Sequence, residues 1–174
     1  MVLLSLLLGA SPLPVISAVP APVLGSCAAP QAIPEPWTSW RQSGEAQAGT
    51  QAEGAPSLIL GQPVTAYLTS SEHVQFAASP GRDVAKGFGG IFTIATKVQA
   101  RIGIALSDRA WVDVLDGRQA RPSADHGHGP PCSDIRKIVW FDLPPGRHVV
   151  QVAGSNVPTL RIMAADARAN QPAR

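Results

Sequence analysis

Lys137-Ile138-Val139-Trp140-Phe141-Asp142-Leu143-Pro144-Pro145-Gly146-Arg147-His148-Val149-Val150-Gln151-Val152-Ala153 places two apolar, β-branched runs on either side of a Pro-Pro-Gly turn. Runs of this composition bounded by Pro and Gly are the sequence form of β-strands. The spacing predicts strands over 137–142 and 148–153, joined as a hairpin. In the first run both alternate sets, Ile138 with Trp140 and Val139 with Phe141, are apolar. Such a strand is expected to lie between neighbours or to carry a second apolar cluster on its other face.

Upstream, Arg101-Ile102-Gly103-Ile104-Ala105-Leu106 alternates, so Ile102, Ile104 and Leu106 share one face and should point into the core. Further short runs predict strands over 58–60, 63–68, 73–76, 90–96, 99–107, 111–115 and 159–164. No window of ten or more residues keeps a helical period with caps at its ends. The expectation is an all-β chain: an antiparallel, jelly-roll-like β-sandwich of about seven to nine short strands. A small barrel or a cupin-like jelly roll would give the same pattern. Gly87-Phe88-Gly89-Gly90 lacks the Lys-Ser/Thr and helix of a phosphate loop, so its glycines are expected to let strands bend or approach closely.

The 174 residues, 45% hydrophobic and 15% charged, fit one globular unit with appendages. The 14 Lys plus Arg against 12 Asp plus Glu are interspersed along the chain, with no basic stripe in the sequence. That argues against nucleic acid as a partner. Val2 to Ala10 reads as the apolar core of a signal peptide over 1–21, cut after Ala18 or Ala21, although no Lys or Arg precedes it. It is too short to span a bilayer, and no later run approaches that length. A Pro/Ala/Gly-rich, irregular leader follows over 22–56, then the sandwich over 57–165 and a flexible tail over 166–174. Trp37 and Trp40, spaced by three, are expected to dock one helical turn on the body, and 44–54 is expected to be a mobile loop.

Export to the periplasm or beyond gives the two cysteines a meaning. Cys27 and Cys132 are expected to form a disulfide in an oxidising compartment. The rival reading is a lipoprotein acylated at Cys27, since Leu24-Gly25-Ser26-Cys27 has the outline of a lipobox.

The segment Ala124-Asp125-His126-Gly127-His128-Gly129-Pro130-Pro131-Cys132-Ser133-Asp134-Ile135-Arg136-Lys137 resembles a family of small exported proteins from alphaproteobacteria. Phe88-Gly89-Gly90-Ile91-Phe92 and Ala110-Trp111-Val112-Asp113-Val114 share the likeness, which covers roughly 57 to 165. The resemblance implies no established activity, although members often bear the name homogentisate 1,2-dioxygenase. That enzyme is a longer cytoplasmic cupin binding iron through two His and a Glu. No Glu follows Glu72 here, so a His-x-His-x-Glu set is absent. Phe141-x-Leu143-x-x-Gly146 with Gln151 is similar to the last hairpin of prepeptidase C-terminal and carbohydrate-binding β-sandwiches, a likeness of fold alone.

One constellation has the residue types for chemistry. His126 and His128 lie two apart, with Asp125 and Asp134 close by, and His148 is a further candidate from the following hairpin. A His-x-His pair in extended chain puts both imidazoles on one side, as ligands for Zn, Cu or Fe. The structural reading of the same loop is an ordered Gly-Pro turn whose His side chains bond backbone groups and hold the disulfide loop. Ser133 has no nucleophile elbow around it. Arg136-Lys137 could meet an anion or serve as a charged strand edge. Trp111 and Trp140 are candidate surface aromatics that could stack on a sugar if exposed together, although each sits among Val and Ile, so core or half-buried packing is expected. The sequence thus points to a non-catalytic binding or envelope-associated protein, with an envelope component or glycan as ligand and no cofactor. Its alternative is a metal-binding protein or metal-dependent oxidase or dioxygenase using His126 and His128.

Overall fold

Ile102, Ile104 and Leu106 are fully buried on one face of their strand, while Arg101 is exposed and meets Asp142 at 3.4 Å on the neighbouring strand. That alternation sets the architecture of the computed structural model, which describes Cys27, 31–81 and 86–170. The signal-peptide reading and both cleavage positions lie outside the described residues.

The strands are β1 Glu45–Gln47, β2 Val64–Tyr67, β3 Thr69–Ser70, β4 Phe88–Thr96, β5 Ala100–Leu106, β6 Trp111–Asp116, β7 Gln119–Ala120, β8 Asp125–Gly127, β9 Lys137–Leu143, β10 Gly146–Ser155 and β11 Thr159–Asp166. One sheet runs β1-β2-β11-β5-β9-β8 and the other β3-β4-β10-β6-β7. Pairing is antiparallel apart from β1 with β2, so the chain is the expected all-β sandwich. Between the sheets lie Ile102, Ile104, Val139, Phe141 and Leu143 from one side and Phe92, Ile94, Val150 and Val152 from the other. Each such side chain contributes about 1.5–3 kcal/mol by leaving water.

The predicted 137–153 hairpin is corrected. The Pro144-Pro145 turn joins β9 to β10, but the two strands lie in different sheets and do not pair. Both runs hold apolar residues that meet across the core, and this is satisfied by an arch between sheets. Thr96 Oγ1 donates to Pro144 O at 2.6 Å and pins the corner to β4. Two smaller expectations also change. Residues 73–76 are not a strand, because a 3-10 turn over Ser71–His73 follows β3. Leu58 reaches the sheet through one bond from its amide to Thr93 O at 2.8 Å, without a strand over 58–60.

The second face of β9 carries the second cluster, as its double apolar pattern predicts. Ile138 and Trp140 pack with Ala105, Met163 and the leader residues Trp37 and Trp40. Trp37 is 3% and Trp40 1% exposed, on a turn closed by Trp37 N–H to Pro34 O and Trp40 N–H to Trp37 O, both 2.9 Å. The leader is therefore irregular in conformation yet part of the body. Its 44–54 stretch, expected as a loop, supplies β1 and a reciprocal bridge between Gly49 and Ile91 at 2.9 and 2.8 Å. Ala48 fits there because Gly90 faces it, and a side chain at position 90 would occupy the same space. Residues 167–170, expected in a flexible tail, form a 3-10 turn, with Arg168 on Asp166 at 3.1 Å.

Cys27 and Cys132 are joined by a disulfide, with Cα atoms 5.6 Å apart and a separation of 105 positions. Arg41 reinforces the junction by donating to Gln31 O and Cys132 O, each at 2.9 Å. No helix among the described residues is long and apolar enough to cross a membrane.

Candidate functional site

Strand β7 covers only the far end of β6, pairing with Leu115 and Asp116. The Arg121 amide still donates to Val114 O at 2.8 Å, after which the chain leaves β6 and crosses to β8 in the other sheet. Residues 111–113 are left beside an opening between the sheets. This is a cleft of about 380 Å³, with Val112, Val139 and Phe141 in its wall and Arg121, His126 and Lys137 around it. A second hollow of about 200 Å³ shares His126 and Lys137 and adds Arg109, His128 and Arg136.

Trp111 is the aromatic of the cleft and is 43% exposed. Its indole Nε1–H donates to Asp113 Oδ1 at 2.8 Å, while Asp113 Oδ2 accepts from the buried Gln151 amide at 3.0 Å. Gln151 also donates to Ala78 O at 3.0 Å, so the loop ending at Gly81 is held against the Trp111 ring. Lys137 spans from β9 to β6: its Nζ donates to Ala110 O at 3.1 Å and lies 5.7 Å from the centre of the Trp111 ring. Burial pushes the Lys137 ammonium below its ordinary pKa of 10.5, with the Asp113 carboxylate opposing. Arg121 Nε is buried with no hydrogen-bond partner among the described residues.

The His loop is only partly a cluster. In β8, Asp125 lies opposite Trp140 and His126 opposite Val139, so the two side chains take opposite faces of the strand. His126 borders the cleft, whereas Asp125 borders a separate groove with Arg101 and Trp140. His128 borders the second hollow beside His126, and its Nδ1 lies 3.1 Å from Arg136 O, the geometry of a ring N–H donating to a carbonyl. Asp134 is exposed, in the left-handed region at φ 62, two residues after Cys132 at φ 58. His148 is buried in the other sheet with Nε2 2.9 Å from Pro144 O, and belongs to the corner. Among the described residues, no three His, Cys, Asp or Glu side chains gather as metal ligands. Ser133 is buried, donating to Pro130 O at 2.6 Å and accepting from Ile135 N–H at 3.1 Å, so its hydroxyl is spent on the turn.

The two tryptophans, which could stack on a sugar only if exposed together, are not brought together. Trp111 lines the cleft, while Trp140 is half-buried on the outer face of β9 against Trp37, at 5.6 Å. Sequence reasoning missed Asp113 and Arg121. Arg121 stands in Arg-Pro-Ser, a stretch without periodicity, and nothing local marks it. The fold also adds Arg109 and Arg121 to Arg136 and Lys137, the four lining two neighbouring hollows that share His126 and Lys137, with Asp113 as the carboxylate of the first.

No protein-family profile matches the chain, and no curated protein matches it. Among solved structures, it is similar to the pre-peptidase C-terminal domain of collagenase from Bacillus anthracis, at 13% identity and a TM-score of 0.36, over 70% of this chain and 96% of that one.

Proposed function

We propose that the protein is an exported, non-catalytic binding domain whose ligand, an envelope glycan, occupies the cleft between β6, β8 and β9. One observation carries this reading: a half-exposed tryptophan lines an apolar-walled opening that also has hydrogen-bond donors in its lining. Indole edges and faces pack on the apolar face of a sugar ring, while donors in the lining bind its oxygens. The volume of about 380 Å³ falls in the range of small-ligand pockets. The Cys27–Cys132 bond supports an oxidising compartment, periplasmic or extracellular, and occupies the sulfur that a lipid anchor would need.

Glycan-array binding by the oxidised protein, repeated with Trp111→Ala, tests the reading. Retained binding should fall at least tenfold in the variant. Equal binding by both proteins would place the ligand elsewhere.

The metal alternative has one observation in its favour, that both imidazoles border the second hollow. Against it stand the His128–Arg136 contact and the outward Asp125. Elemental analysis of untagged protein decides: less than about a tenth of an equivalent of Zn, Cu or Fe excludes it, because a metal bound for structure or catalysis survives purification.

A further inference from the structure

We infer that the ligand of this cleft is a carboxylated glycan, a chain of uronate residues laid across the two neighbouring hollows that share His126 and Lys137. The inference rests on the cleft being the binding site and adds the charge and length of its occupant. Arg109, Arg121, Arg136 and Lys137 line the two hollows, and none of them makes a salt bridge among the described residues. Asp113 is held by Trp111 and Gln151, so its oxygens are engaged from within the protein. Four cations against the single carboxylate of Asp113 leave the lining positive, which calls for an anion.

The arrangement narrows which anion. Arg121 lines the cleft and buries an Nε–H that has no hydrogen-bond partner among the described residues. A guanidinium offers parallel N–H groups in the geometry of a carboxylate. Trp111 and the apolar wall of Val112, Val139 and Phe141 suit a pyranose ring beside that carboxylate. The cations then continue past His126 and Lys137 to Arg109 and Arg136, as a repeating anionic chain requires. An anionic membrane fits less well. Among the described residues, the large exposed apolar side chains Ile59, Tyr67, Val98 and Trp111 come from separate segments, and of these only Trp111 lines the cleft.

The test measures binding of the oxidised full chain to oligomers of galacturonate, mannuronate and glucuronate, to their carboxyl-reduced counterparts, and to phosphatidylglycerol vesicles. At least one uronate series should bind, at least tenfold tighter than its reduced form and more weakly as salt is added. Arg121→Gln and Arg136→Gln should each weaken it about ten- to a hundredfold. Lys97→Gln, an exposed site outside both hollows, should leave it unchanged, and the thermal midpoint of each variant checks folding. Reduced oligomers binding as well as uronates, with loss on Trp111→Ala, would overturn the anionic ligand and leave the cleft standing. Silence from every glycan overturns both, and tight vesicle binding lost in Arg121→Gln overturns the glycan in favour of a lipid headgroup.

Discussion

Trp37, from the leader, meets Trp140, from β9, with ring centroids 5.6 Å apart and planes inclined by 58°. The contact covers the outer face of β9 and makes the leader a third layer over one sheet. Replacing Trp37 by Ala should lower the unfolding free energy by about 3–5 kcal/mol, the usual cost of removing a buried aromatic. Urea denaturation of the oxidised protein measures this. A loss under about 1 kcal/mol would mean that the leader adds little to the core.

Gly103 lies beneath the same pair. A Cβ at this position would come 2.7 Å from Trp140 Cζ3 and 2.9 Å from Trp37 Cη2. Gly103→Ala should therefore destabilise by about 1–3 kcal/mol, although alanine otherwise suits a strand better than glycine. In a Trp37→Ala background the penalty should shrink, since one of the two rings is gone. Equal penalties in both backgrounds would show that Trp140 alone sets the limit.

The disulfide closes a loop with its ends 105 positions apart. Cys132→Ser, or reduction of the native protein, should reduce stability by on the order of 4–5 kcal/mol in the chain-entropy model. Urea midpoints with and without reductant give the value. An unchanged midpoint would show that the bond adds nothing to the folded state.

Lys137 gives a pH signature. Because burial lowers its folded pKa below 10.5, the unfolded chain holds the proton more tightly between that lowered value and 10.5. The penalty of the buried charge is fully present at lower pH and is relieved as pH rises through this window. Stability of the native protein, relative to Lys137→Met, should rise across it. Subtracting the two curves cancels other alkaline groups, including Tyr67, whose phenol is raised by Glu45 beside it. A flat difference would show that the ammonium is solvated.

The elements legible in the sequence are those whose side chains face two ways at once. Arg101 to Leu106 alternates because one face meets the core and Arg101 meets water, and β9 is apolar throughout because Trp37 and Trp40 wait on its far side. Strands β1, β7 and β8 were not legible: Glu-Ala-Gln, Gln-Ala and Asp-His-Gly contain no β-branched residue and owe their conformation to a neighbouring strand. The arch at Pro144-Pro145 could not be told from a hairpin, because local turn chemistry does not say in which sheet the next strand finds a partner. His126 was legible as a candidate by its motif, and the fold puts it in the lining of the cleft. The basic cleft was not, since Arg109, Arg121 and Lys137 meet only when two sheets close on each other.

The chain carries two cysteines, so one intramolecular pairing exists. Oxidative maturation has no wrong isomer within the molecule and nothing for an isomerase to shuffle. The hazard is timing instead: Cys27 is synthesised 105 positions ahead of Cys132, and until Cys132 follows, its only partners belong to other molecules.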